Sequence, residues 1–92
     1  MPYEWLSTAF AVLDRNSVEP YEVLQVLYGD RRRPVPVRHP YVLSMLYICG
    51  RTKDGRLLVV MTRLARGFDV EIAGARDMTD DERKEFESWE SK

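Results

Sequence analysis

The chain has one cysteine and one histidine in 92 residues. With Cys49 alone, an internal disulfide framework is excluded, and a reducing compartment such as the cytoplasm is the expected setting. With His39 alone, and no cluster of metal-ligand type, no zinc-type centre can be assembled by spacing. There is no Walker-type loop and no dinucleotide fingerprint, so no cofactor is expected. No apolar run reaches membrane-spanning length and the N-terminus is too polar for a signal peptide, so no membrane partner is expected. Five glycines and five prolines are too few for a low-complexity chain, and no repeat is visible. Residues 1–92 read as one domain with a small but sufficient core, since 45% of the chain is hydrophobic.

Charge is present in both signs and is sorted. Residues 1–30 carry one arginine against five acids, residues 31–76 carry ten Lys/Arg against three, and residues 77–92 carry three against seven. The net charge of −1 therefore hides a basic middle between acidic ends. Such a middle can meet a polyanion, or the acidic ends can neutralise it within the fold.

Local patterns predict the elements. Tyr3-Glu4-Trp5 reads as a short strand. A helix N-capped by Ser7 runs to Arg15, and a second starts at Glu19-Pro20, with Val23, Leu24, Val26 and Leu27 as its buried stripe and Gly29 at its end. Arg31 to Pro36 reads as a loop or ragged edge strand, because two prolines cannot sit in a central ladder. Tyr41–Arg51 and Arg56–Leu64 are predicted to pair as a hairpin turning at Asp54-Gly55. Phe68 to Gly74 alternates apolar and acidic residues, as a strand with one wet face does. Thr79 and Glu82 form a capping-box signature for a last helix carrying Met78, Phe86 and Trp89 on one side. The expected fold class is α+β: a small antiparallel sheet with two N-terminal helices and one C-terminal helix.

Arginines gather at the expected junctions. Arg51, Arg63, Arg66 and Arg76 lie at or near strand ends, where a guanidinium can grip two phosphate oxygens. Arg31, Arg32 and Arg33 precede a proline-rich stretch and suit phosphate tracking, with Arg56 and Arg83 as further contacts. A general base is harder to find. His39 sits in a loop, Glu82 is explained by capping, and Tyr47 reads as core.

Two stretches carry a family resemblance. One is Gly50-Arg51-Thr52, Gly55-Arg56-Leu57-Leu58-Val59-Val60 and Ala75-Arg76-Asp77-Met78-Thr79 through Glu82-Arg83; the other is Trp5 followed by Arg15-Asn16-Ser17-Val18 and an acidic helix start. The chain resembles the BrnT family, ribonuclease toxins of type II toxin–antitoxin pairs with a RelE-like fold. It departs from the family pattern at Leu6, at Ala9 and Val12, at Asn16-Ser17 and at Phe86, where the family has Asp, polar residues, His-Gly and Tyr. The resemblance implies a metal-independent endoribonuclease that cleaves RNA through the substrate's own 2′-hydroxyl, with Arg51, Arg63 and Arg76 as the catalytic candidates. It implies RNA and an antitoxin encoded by an adjacent gene as partners. By its residues alone, any surplus apolar face of the first helix would be an interface for a second copy of the chain or an antitoxin. The alternative reading is a catalytically degenerate toxin-like module that binds RNA or a protein.

Overall fold

The computed structural model describes residues 3–38, 45–65 and 69–92. The element order is β1 (Tyr3–Trp5), α1 (Ala9–Arg15), α2 (Pro20–Leu27), β2 (Arg33–Val37), β3 (Met45–Arg51), β4 (Leu57–Leu64), β5 (Val70–Asp77) and α3 (Asp80–Glu90). The strands form one sheet in the order β1-β5-β4-β3-β2. The fold is α+β as expected, but the sheet is mixed rather than antiparallel, because β1 pairs in parallel with β5.

The central hairpin forms where the Asp-Gly signal puts it. β3 pairs antiparallel with β4 from Met45↔Arg63 to Arg51↔Leu57. Thr52 and Arg56 close the turn, with the Thr52 N–H donating to the Arg56 carbonyl at 2.9 Å. Gly55 takes φ +89°, a conformation that a side chain would strain. Tyr41 to Ser44, the start of the expected strand, lie outside the described residues.

β2 is an edge strand. Pro34 and Pro36 are two residues apart, so both face the same side of it. Neither can donate to a ladder, so that side is the outer one, and the prolines blunt the edge against further strand addition. β5 runs three residues beyond the expected end, through Arg76 and Asp77. A bulge opposite Met61/Thr62 leaves Ala73 as the extra residue. A Cβ at Gly74 would lie 2.5 Å from Val12 Cγ1, so glycine there lets α1 approach β5 closely.

The sheet is covered on both faces. Leu13, Val18, Val23, Val26 and Leu27 from the α1–α2 layer pack with Ile48, Leu58, Val60, Ile72 and Ala75. Phe86 of α3 packs with Cys49 and Val59 on the opposite face, flanked by Val35, Tyr47, Leu57, Met78 and Trp89. This two-sided burial explains why β3 and β4 read as apolar at nearly every position.

Three local expectations are corrected. α1 is N-capped by Thr8, not Ser7, and without a side-chain cap bond. Leu24 is exposed rather than part of the buried stripe, since Val23, Val26 and Leu27 already fill the sheet-facing arc of a short helix. Gly29 follows the C-cap Tyr28 and is not in the left-handed region.

The α1–α2 join holds the one non-glycine residue of positive φ among the described residues, Ser17 at +55°. Asn16 beside it donates through Nδ2 to the carbonyls of Val12 at 3.0 Å and Ala75 at 3.1 Å, tying α1 to β5. The left-handed conformation costs an L-residue roughly 1 kcal/mol. Ser17→Gly is therefore expected to raise stability by about 0.5–1 kcal/mol, read as a higher urea midpoint with an unchanged slope.

Candidate functional site

Residues of one strand alternate between faces, and directly paired residues share a face. Arg51 pairs with Leu57, Val59 pairs with Arg76, and Arg63 lies on the same side of β4 as both of those β4 residues. Arg51, Arg63 and Arg76 therefore lie on the sheet face that α3 partly covers. They do not converge on one point. Arg63 is four residues along β4 from Val59, roughly 13 Å away, and Arg51 and Arg76 are two strand spacings and two residues apart, roughly 12 Å. Arg66 and His39 lie outside the described residues.

Each of these three arginines is held by a carboxylate. Arg76 grips Glu82 with two bonds, Nη1 to Oε1 at 2.6 Å and Nη2 to Oε2 at 2.9 Å. Arg51 grips Glu90 through Nε at 2.9 Å and Nη2 at 3.1 Å. Arg63 donates to Glu71 at 2.9 Å, its partner across the β4–β5 ladder. The hydrogen bonds to Glu82 and Glu90 push the Arg76 and Arg51 guanidiniums above their ordinary range.

The capping box explains why Arg76 meets Glu82. Thr79 N–H donates to Glu82 Oε1 at 2.8 Å and Glu82 N–H donates to Thr79 Oγ1 at 3.2 Å. This folds the Glu82 carboxylate back over the start of α3, toward the end of β5 where Arg76 sits. Arg76 also lies over the Tyr47 ring, 5.8 Å from its centroid. Arg33, Val35, Tyr47, Cys49, Glu82, Glu85 and Phe86 line a cavity of about 90 Å³ between β2, β3 and α3. Burial, then the Glu82 charge, pushes the Cys49 thiol up, so it is not an activated nucleophile.

The remaining arginines divide between structure and surface. Arg56 reaches to the α1–α2 side, donating to Asp77 through Nε at 2.9 Å, to Glu22 at 3.1 Å and to the Ser17 carbonyl at 2.9 Å. It clamps the hairpin, β5 and the start of α2 together. Arg32 donates to the Leu27 carbonyl at 2.6 Å, at the end of α2. Arg31 donates to the Glu90 carbonyl at 2.6 Å and stacks on Trp89 at 5.2 Å, a cation at a helix C-terminus. Arg83 pairs along α3 with Asp80 at 3.6 Å and Glu87 at 3.7 Å. The sorted charges thus meet in space: acids of α2 and α3 neutralise arginines of the basic middle.

Glu82 is held at about 2, well below its usual 4.5, first by the Arg76 hydrogen bonds and then by the Thr79 backbone, against an opposing effect of burial. Arg51 holds Glu90 down in the same way. A carboxylate whose pKa is lowered by folding stabilises the fold above its unfolded value and loses that contribution as pH falls through the folded one. The melting temperature is expected to be level above about pH 4.5 and to fall toward pH 2, in the interval set by Glu82. Glu82→Gln should flatten part of that fall, read by thermal melts across the acid range.

The other large surface feature lies on the opposite face. Tyr21 and Leu24 of α2 and its C-cap Tyr28 form an exposed stripe that lines a cavity of about 580 Å³, with Arg51 and Lys53. Phe10 of α1 is 48% exposed and stacks on Trp5 at 5.0 Å. Among the described residues no group of His, Cys, Asp and Glu could hold a metal ion, and no helix is long and apolar enough to cross a membrane.

No protein-family model matches the chain, and no curated protein matches it.

Proposed function

We propose that the chain is a toxin-type domain of a type II toxin–antitoxin pair, a metal-independent endoribonuclease of BrnT-like character. The observation that carries this reading is the placing of Arg76 over the Tyr47 ring and against Glu82, beside a small cavity between β2, β3 and α3 that Tyr47, Glu82 and Arg33 line. A guanidinium there suits a scissile phosphate, and a phenol suits donation to a leaving oxygen. The left-handed Ser17, at the position where the resembled family has glycine, supports the resemblance.

One observation favours a second reading, a degenerate module that binds RNA or protein without cutting. Glu82 at about 2 is a weak base, and three N–H groups, two from Arg76 and one from Thr79, already occupy its carboxylate. The readings separate in one experiment. Protein freed of any partner is incubated with labelled single-stranded RNA and with its DNA counterpart, in chelator. Cleavage of RNA alone, leaving a cyclic phosphate end, supports the enzyme; salt-sensitive binding without cleavage supports the module; neither result removes RNA from the account. Co-expression with the adjacent gene tests the antitoxin: a stable complex that silences the activity is expected.

A further inference from the structure

We propose that the arginine face beneath α3 is a binding site for a single-stranded polyphosphate chain, and that α3 is its displaceable internal occupant. The identification of that chain as RNA rests on the reading above; the displaceable cover does not.

The geometry carries this in three steps. The sheet presents Arg76 and Arg51, and α3 supplies the anion for each: Glu82 to Arg76 and Glu90 to Arg51, both by two-pronged contacts, with Glu87 3.8 Å from Arg51. The two carboxylates are eight residues apart on a helix, roughly 12 Å, matching the roughly 12 Å between the two arginines across the sheet. α3 therefore occupies this face as an anionic strand would, with carboxylates standing where phosphates would bind.

The apolar contact that holds the helix is also narrow. Phe86 is its single buried residue; Trp89 is only half buried against the same cluster. The rest of the attachment is polar: the partly exposed Arg76–Glu82 and Arg51–Glu90 pairs, which salt screens, and Arg31, which donates to the Glu90 carbonyl and stacks on Trp89. Met78 donates its N–H to the Leu57 carbonyl at 3.2 Å, so β5 stays seated and movement begins at Thr79. Displacing α3 uncovers Arg33, Tyr47 and Cys49 together with the two freed guanidiniums.

The test is hydrogen exchange followed by mass spectrometry on the whole chain, at low salt, with oligouridylate and with inorganic polyphosphate as separate probes. Saturating probe is expected to remove amide protection across Asp80–Glu90 while β3, β4 and β5 keep theirs. The variant Glu82→Gln/Glu90→Gln should bind the probes roughly tenfold more tightly, within the usual range for one coupled equilibrium. Gln at 82 retains the capping box, so α3 still starts normally. Asp14→Asn/Asp81→Asn carries the same charge change away from the arginines and should shift affinity far less. Unchanged protection of α3 in the saturated complex overturns the proposal, as does an equal gain in the charge-matched variant. Displacement by polyphosphate but not by oligouridylate keeps the cover and removes RNA. Binding of neither probe to any variant overturns both.

Discussion

Phe86→Ala is expected to lower stability by about 3 kcal/mol. Phe86 is 1% exposed and packs with Cys49 and Val59 beneath α3, with Trp89 at 5.6 Å. It is the one side chain of α3 that is fully withdrawn from water. Truncation removes the ring's transfer free energy and leaves a void that β4 cannot fill, because Val59 is fixed in the centre of the sheet. For a domain of this size the loss should lower the melting temperature by roughly 12 °C or more. Phe86→Leu keeps most of the volume and should cost about 1 kcal/mol. Calorimetry of the variants and the parent checks both values. A loss for Phe86→Ala no larger than that for Phe86→Leu would mean that α3 is not anchored by this ring.

The parts of the fold readable in the sequence are those fixed by short-range chemistry. Asp54-Gly55 places the hairpin because the turn needs a residue at positive φ, and Thr79 with Glu82 places α3 because both cap bonds lie within three residues. Phe86, Met78 and Trp89 share a face by helical period alone. β1 is different. Three residues carry too little alternation to show direction, and its parallel pairing with β5 spans most of the chain. Leu24 shows the same limit in a helix. Period alone assigns it to the apolar stripe, but α2 is short and its sheet-facing arc is filled by three other residues.

The site was legible as a list of arginines but not as an arrangement. Arg51 and Glu90 are 39 residues apart, so no local rule links them. Arg76 is on a strand, so helical spacing to Asp80 and Asp81 does not govern it. Its partner is Glu82 because the capping box turns that carboxylate back toward β5. Arg56 reads as a phosphate contact by position, yet it faces the α1–α2 layer and joins Asp77, Glu22 and two backbone carbonyls. The charge sorting was the one sequence signal of these pairings, since acidic ends flanking a basic middle favour contact between them.

Arg76→Ala is expected to lower RNA cleavage by roughly 10²-fold or more, the loss typical of removing one transition-state donor. Its guanidinium is fixed from two sides, by Glu82 and by the Asp77 carbonyl at 3.1 Å, and it lies over the Tyr47 ring. A phosphate entering there exchanges one bidentate anion for another, so little geometry has to be rebuilt. Stability should fall by about 1 kcal/mol, because the pair is partly exposed and Glu82 keeps its bond from the Thr79 N–H. Arg76→Lys keeps the charge but loses the fork, and should recover the melting temperature better than the rate. Cleavage, growth arrest on expression and thermal melting of the three proteins separate the roles. A rate loss out of proportion to the melting shift supports a phosphate-binding guanidinium. An unchanged rate with a lower melting temperature leaves Arg76 as the residue that seats α3. Wild-type protein that neither cuts RNA nor arrests growth assigns the chain to the degenerate module, whose Arg76 serves binding alone.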